Sequence, residues 1–475
     1  MTARRLAKGG HIDRSTPLSF SWDGISMKGF TGDTLASALM ANGEQILGRS
    51  FKYHRPRGIM SAGVEESGAL VTVGEGARRD ANVRATTQPL YDGLVARGQN
   101  AWPSVRTDFA AVNNLFGRFF AAGFYYKTFM GLPPFEWGRG TGMWMRYEKI
   151  IRKAAGMGQA SREADPDHYE HAHGYCDLLV VGSGPAGRAA ALAAALAGCD
   201  VVLVEQDATL GGDSLSHPGC ATALRDELCQ LDSAGVRIMT STTAFGLYDG
   251  GVAGLLERVT DHLSDPPSWL PRQRFWTLRA RSTILATGAL ERHIAFGNND
   301  RPGVMTANAG RSYLNRFAIQ PGEDIVIATN NDSAYASASD LASSDAQVVV
   351  LDSRSSIPGT LRSLCEAGGI QLRLDSAPEK VLGGKVVSGL QLARRQTGGW
   401  QSSDRIDCDL ILVSGGWSPV VNLFSHRGIK PIWNPELACF LAPACEEAIL
   451  AAGSAAGIWD HEACANSGRD AATQA

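Results

Sequence analysis

Residues Cys176 to Glu205, CDLLVVGSGPAGRAAALAAALAGCDVVLVE, constrain the fold more than any other stretch of the 475-residue chain. An apolar run, Leu178 to Val181, meets Gly182, Gly184 and Gly187. An Ala-rich helix follows, then a second apolar run, Val201 to Val204, that ends in Glu205. Strand, glycine turn, helix, strand and acid stand in the order that a dinucleotide site requires. Gly182 permits the tight turn, Gly184 lets the backbone approach a pyrophosphate, and Gly187 lets helix and strand pack closely. The intervening Ser183, Pro185 and Ala186 complete the loop, whose helix N-terminus faces the phosphates. Glu205 is placed to bond a ribose diol and would repel a ribose 2′-phosphate. Gln206, Gly212, Thr287, Gly288 and Gly453 are the other candidate contacts, drawn from the turns that follow neighbouring strands. The expected fold class is α/β.

Several function classes are set aside by composition. No apolar run approaches the roughly 20 residues of a membrane helix, so no membrane association is expected. The N-terminus, MTARRLAKGGH, lacks the apolar core of an export signal, which points to the cytoplasm. All nine cysteines lie at or after Cys176 and none forms CxxC, so a thioredoxin-like pair and a zinc knuckle are not indicated. Cys439, Cys445 and Cys464 are too loosely spaced for a cluster site. His168, His171 and His173 lack a second ligand set, so no metal site is expected. Charge is uneven: residues 1–175 carry 22 Lys and Arg against 16 Asp and Glu, the remainder 23 against 32. The basic residues are dispersed and no nucleic-acid module is visible, so a partner subunit fits better than nucleic acid.

Residues 1–100 form a small α+β unit. A hairpin turns at Asp23-Gly24. A helix follows from about Thr31 to Asn42, with Thr31 or Asp33 as its cap and Gly43 as its stop. Residues 101–175 are a linker and wrapping segment, aromatic from Phe109 to Phe135, with Pro133-Pro134, and polar from Gly156 to His173. Residues 176–321 and 401–475 make the dinucleotide-binding domain, to which the strand Asp409 to Gly415 returns. Residues 322–400 make a nested α/β domain. There, Asn330 to Ser333 stands in place of a phosphate loop and Asp352 ends the next strand. No nucleophile–base constellation stands out, so the catalytic residues are unassigned. The basic string Arg49, Lys52, Arg55 and Arg57, with His54, is an interface or flavin-phosphate candidate. Trp417 and Trp433 are expected as packing residues.

This order of elements resembles the two-dinucleotide-binding-domain flavoprotein family. The strings GDTLASALMANG, GRSFKYHRPRG, SAGVEESGALVTV and DGLVARGQNAWPSV resemble the N-terminal domain of heterotetrameric sarcosine oxidase alpha subunits. CDLLVVGSGPAGRAAA, LATGALERHIAFGNNDRPGVM, ATNNDSAYASASDLA and SGGWSPVVNLFS resemble the nucleotide-binding half of the same subunits. The resemblance implies a β-grasp, ferredoxin-like first domain followed by a Rossmann-type FAD/NAD-binding domain with a nested second α/β domain. In related amine dehydrogenases the first domain holds a [2Fe–2S] cluster. Here the matching loop, Gly58 to Val73, has no cysteine, and no iron–sulfur cluster is expected.

The resemblance further implies NAD as the first choice at the glycine loop and FAD as the second. It implies FMN at a subunit interface, FAD on a beta-type partner, and small gamma and delta subunits. The uncharged turn AAGSAAG, with Ser454 after Gly453, is one reason to rank NAD above FAD. The amine, sarcosine or another N-methyl or secondary amino acid, would lose a hydride to the partner's FAD, and the imine would hydrolyse. These alpha subunits continue into a folate-binding half, and transfer to tetrahydrofolate is not expected of the 475 residues here. Two rival readings are a self-sufficient FAD- and NAD(P)H-dependent oxidoreductase and a non-catalytic, nucleotide-stabilised scaffold.

Overall fold

The fold is taken from a computed structural model. It describes residues 4–115, 158–443 and 448–475, together with Lys149. Most of the aromatic stretch, Pro133-Pro134 and Cys445 lie outside the described residues.

The first unit is a five-stranded mixed sheet. Asp13–Trp22 and Ile25–Thr31 form the expected hairpin. Asp23 (φ 47°) and Gly24 (φ 82°) both take left-handed conformations at its turn, as a two-residue hairpin loop of this hand requires. Leu94–Gly98 lies parallel to the first strand and antiparallel to Leu70–Val73, which pairs with Asp80–Arg84. The helix Leu35–Ala41 is buried along its whole length. Its cap is Thr34 rather than Thr31 or Asp33: Thr34 and Ser37 form a reciprocal capping box. Asp33 instead accepts from Ser37, from the Phe30 N–H and from Arg5. The sheet and its helix give the β-grasp arrangement.

The dinucleotide unit is built on a sheet in the order Arg237–Met239, Val201–Val204, Tyr169–Val181, Gln273–Leu285, Val252–Arg258, Thr242–Tyr248, with Ile449–Ala451 beside Gln273–Leu285. The four strands around Tyr169–Val181 run parallel and are apolar at their C-terminal ends. This is the pattern of strands covered on both faces. The polar linker expected through His173 ends earlier, because Tyr169 to Tyr175 pair with Gln273 to Arg279.

The nested unit has five parallel strands, ordered Val304–Thr306, Leu410–Ser414, Asp324–Thr329, Gln347–Asp352, Gln371–Arg373. The strand expected to return to the first domain therefore stands inside the nested sheet, between the first two strands of that unit. The nested unit thus begins before 322 and extends past 400. The reason is long-range pairing: an all-apolar strand is compatible with either sheet, and only its partners decide. A β-ladder between Ala289–Glu291 and Trp417–Pro419 carries the chain out of the dinucleotide sheet and back. The first unit packs on the nested one through one continuous core that includes Trp22, Leu39, Tyr313, Phe317 and Tyr335.

Candidate functional site: the glycine loop and its walls

Each glycine of the loop has its own reason. Gly182 has φ 101°, and a Cβ there would sit 2.3 Å from the Ala286 carbonyl oxygen. A Cβ on Gly187 would sit 1.8 Å from the Gly182 carbonyl oxygen. Both are demanded by the protein itself. Gly184 differs, because a Cβ on it would meet nothing within 4 Å. It caps the helix Pro185–Leu196 with no side-chain hydrogen bond, and Pro185 occupies the first turn. The helix N-terminus is therefore open at the point where a pyrophosphate would lie.

The other candidates gather round this opening. A Cβ on Gly212 (φ 55°) would lie 2.9 Å from the Gly184 Cα. Thr287 donates its hydroxyl to the Val420 carbonyl at 2.6 Å, and Gly288 (φ 73°) faces open space. Gly453 (φ 65°) comes against Ala186, which its Cβ would approach to 2.7 Å. Gln206 departs from expectation: its carbonyl accepts from Arg258 at 3.0 Å, and the residue is exposed. Glu205 departs as well. Its carboxylate accepts from the Ser183 N–H (2.9 Å), the Ser183 hydroxyl (2.6 Å) and the Asp207 N–H (2.9 Å). It braces the loop from behind, with 8% of its surface exposed. Because each carboxylate oxygen offers two lone pairs, this brace leaves acceptor capacity for a ribose.

Sequence reasoning passed over Arg188. It is 3% exposed and donates to the Ser183 carbonyl (2.7 Å), the Gly211 carbonyl (2.9 Å) and the Ser214 hydroxyl (3.1 Å), and it pairs with Glu227. It sews the glycine loop to the turn at Gly211-Gly212. Its signal was its position one residue after Gly187, as the one charged residue on a helix otherwise made of Ala, Leu, Gly and Pro.

Beyond that turn stands a polar wall that was also not anticipated. Asp213 pairs with His217 at 2.9 Å. His461 bonds the Ser214 hydroxyl at 2.8 Å. The Glu291 carboxylate accepts from the Asn308 N–H at 2.7 Å, at the N-terminus of the helix Ala307–Asn315. Desolvation is the largest influence on both carboxyl groups, although Asp213 keeps half its side-chain surface accessible. Desolvation, aided by the charge of Asp213, pushes the Glu291 carboxyl up to about 7, against hydrogen bonds from Ser414, the Asn308 N–H and Thr306. At Asp213 the bond and charge of His217, with Arg311 and Asn308, outweigh desolvation and hold the carboxyl low.

The basic string is corrected. Arg55 and Arg57 both pair with Asp300, across the seam between the first unit and the following one. Arg49 is buried and donates to the Val105 and His54 carbonyls, while His54 bonds Asp108 at 2.7 Å. Asp300, 243 residues away from Arg57, could not be paired with it from the sequence. Trp417 donates to the Ser333 hydroxyl and lies 6.4 Å from the Trp459 ring, and Trp433, half exposed, packs edge-on against Phe440. A groove of about 390 Å³ along the terminal helix His461–Gln474 is lined by Leu450, Ile458, Ser467 and Gln474. None of the glycine-loop residues lines it.

Residues 176–457 match the family described as pyridine nucleotide-disulphide oxidoreductase. The chain belongs to that family. It is 46% identical over 98% of its length to sarcosine oxidase subunit alpha of Rhizobium meliloti (strain 1021), and 33% identical over 96% to the subunit alpha of Corynebacterium sp. (strain P-1). It covers 46% and 43% of those proteins, so the chain spans about half the length of the curated relatives it matches. The crystal structure of L-proline dehydrogenase from P. horikoshii superimposes on the whole chain and on 75% of its own, with a TM-score of 0.62 at 18% identity. That likeness shows the fold.

Residues 15–101 match the family described as 2Fe-2S iron-sulfur cluster binding domain. This overturns the expectation of no iron–sulfur cluster. That expectation weighed thiolates alone, whereas the family match spans residues 15–101 as a whole. Residues 15–101 contain no cysteine, so they supply no thiolate ligand, and no electron-transfer step is assigned to them. At the centre of the loop Gly58 to Val73 lies the Glu66 carboxylate, 2% exposed, which accepts the N–H groups of Met60, Ser61, Gly68 and Ala69.

Proposed function

We propose that this chain is the dinucleotide-binding part of an alpha-type subunit of a hetero-oligomeric sarcosine oxidase, or of an oxidase or dehydrogenase of a related N-methyl or secondary amino acid. The 46% identity to a sarcosine oxidase subunit alpha over 98% of the chain carries this reading. NAD occupies the glycine loop, with FAD the second choice. The open Gly184 cradle and the helix N-terminus receive the pyrophosphate, Glu205 the ribose, and Gly212, Thr287, Gly288 and Gly453 close the walls. Amine oxidation takes place on the FAD of a beta-type partner, with FMN at the interface and small gamma and delta subunits completing the assembly. A bound flavin supplies hydride acceptance. This chain supplies nucleotide binding and a docking surface. The reading places the protein in the cytoplasm. Among the described residues, no helix is long and apolar enough to cross a membrane.

The test is the small-molecule content of the purified protein, read by mass spectrometry after denaturation, together with sarcosine oxidation by the chain alone and with its partner. One NAD per chain, and activity only in the complex, is the expected result. Stoichiometric FAD and sarcosine oxidation by the chain alone would establish the self-sufficient flavoenzyme instead.

A further inference from the structure

Oε2 of Glu205 takes both bonds from Ser183, while Oε1 takes the Asp207 N–H. One lone-pair direction on Oε1 is left for a ribose hydroxyl, and the Asp207 N–H fixes where it points. That N–H belongs to the same rigid peptide group as the Gln206 carbonyl. Arg258 donates to this carbonyl at 3.0 Å. Its other terminal nitrogen donates to the Thr87 carbonyl of the first unit at 3.1 Å. Thr87 is itself held: its N–H reaches the Arg84 carbonyl, and the carbonyl of the next residue, Gln88, accepts the Leu35 N–H at the start of the buried helix.

A second strut reaches the same turn from another direction. The Asp207 carboxylate accepts from Arg316 at 2.7 Å, and the Arg316 side chain is mostly buried. Arg316 follows the helix Ala307–Asn315, and its carbonyl accepts the His11 N–H at 2.7 Å. The neighbouring carbonyls of Phe317 and Ala318 accept from the Arg5 guanidinium (2.7 Å) and the Leu6 N–H (2.8 Å). Both arginines thus join the turn Glu205 to Asp207 to the N-terminal part of the chain, Arg258 directly and Arg316 through residues 5–11. The dinucleotide sheet grips the far end of the turn, where the Asp207 carbonyl accepts the Ser241 N–H at 2.9 Å.

We propose that the first unit acts as a clamp on the ribose end of the dinucleotide site, with Arg258 and Arg316 as its positioning residues. Neither arginine has to touch the nucleotide; each acts through Gln206 or Asp207 on Glu205. This rests on the reading of the glycine loop as an NAD site and gives the first unit a task at that site. With the turn held from outside, its ordering is completed on folding and not on binding, which raises affinity for the hydroxyl that Glu205 accepts.

The experiment titrates the nucleotide-depleted full chain by calorimetry with NAD+ and with its analogue lacking the adenosine 2′-hydroxyl. The proteins are the parent, Arg258→Met, Arg316→Gln and Arg316→Lys. The 2′-hydroxyl is the group that an acid at this position bonds, and a hydrogen bond to a charged group is worth about tenfold in affinity. The parent is therefore expected to bind NAD+ about tenfold more tightly than the analogue. Arg258→Met and Arg316→Gln should bring this ratio toward one by weakening NAD+ while the analogue keeps its affinity. Arg316→Lys, which keeps a charge beside Asp207, should restore most of the ratio. Each ratio compares two ligands on one protein, so a partly unfolded variant still reports. A ratio that neither Arg258→Met nor Arg316→Gln moves, or an equal loss for both ligands, would make the arginines structural and overturn the clamp. Equal binding of the two ligands by the parent would overturn the clamp and leave the NAD site standing. A parent that binds neither ligand would remove the NAD reading and the clamp with it.

Discussion

One strand in each of the two α/β units ends in a loop of opposite character to the other. In the dinucleotide unit the strand Tyr169–Val181 runs into Gly182–Gly187, and the backbone is bare at Gly184. In the nested unit Asp324–Thr329 runs into Asn330 to Ser333, and side chains fill the corresponding space. Asn331 donates to the Ser414 carbonyl at 3.1 Å, and Ser333 bonds both Asn331 and Trp417. The acids that follow also differ. Glu205 braces its own loop from behind, at Ser183. Asp352, fully buried, accepts from the Tyr335 hydroxyl at 2.8 Å and from Arg354. Arg354 in turn pairs with Asp332 of the loop. The same topology thus serves two ends. One unit keeps its helix N-terminus open for an anion, and the other satisfies its loop internally.

The sharpest way to break this comparison is Gly187→Ala. The added Cβ meets the Gly182 carbonyl at 1.8 Å, so the protein should lose about 3 kcal/mol of stability, the upper end of overpacking costs, read as a lower urea midpoint. An unchanged midpoint would show that the turn can relax. Gly184→Val is the contrasting variant. Its Cβ meets no protein atom within 4 Å, so the fold should lose about 1 kcal/mol at the helix cap while the nucleotide no longer co-purifies. Stoichiometric nucleotide in the folded Gly184→Val protein would move the site away from the loop.

The next variant tests the wall of the first unit through pH. The folded-state carboxyl of Glu291 lies at about 7, above its ordinary value of 4.5. Folding therefore favours the protonated form. The associated stability is complete below about pH 4.5 and is lost as pH rises toward 7. In ligand-free protein Glu291→Gln should match the parent near pH 4.5 and exceed it by about 1–3 kcal/mol at pH 8, measured by denaturation at each pH. Equal stability of the two proteins at pH 8 would show that Glu291 ionises without cost. The smallest effect is expected in the nested unit. Asp352→Asn should cost about 1–2 kcal/mol through weakened bonds from Tyr335 and Arg354, with nucleotide content unchanged. A loss of bound nucleotide in that variant would erase the distinction between the units.

Much of this architecture is legible in one dimension. The glycine spacing between two apolar runs announces the dinucleotide unit. Asp23-Gly24 announces the hairpin of the N-terminal unit, and Asn330 to Ser333 the altered loop of the nested one. These signals are local, because turn, helix and strand preferences act over a few residues. The misreadings share a different cause. Asp409 to Gly415 is an apolar strand whose sheet is decided by partners near residues 304 and 325. Arg55 and Arg57 looked like an exposed basic string until Asp300 closed on both. The first domain was judged by its missing thiolates, whereas residues 15–101 as a whole match the cluster-binding family.

What the sequence by itself determined is the set of elements whose physics is short-ranged: the glycine turn, the helix N-terminus behind it, the apolar strands on either side and the hairpins. Tertiary structure alone decided which polar groups meet. It set Arg188 against the Gly211 carbonyl, Glu205 behind Ser183 rather than free, and Glu291 on the Asn308 N–H. The physical reason is that a buried polar group must find its partner wherever the fold brings one, and that partner can stand anywhere in the chain. Spacing along the sequence carries no record of it.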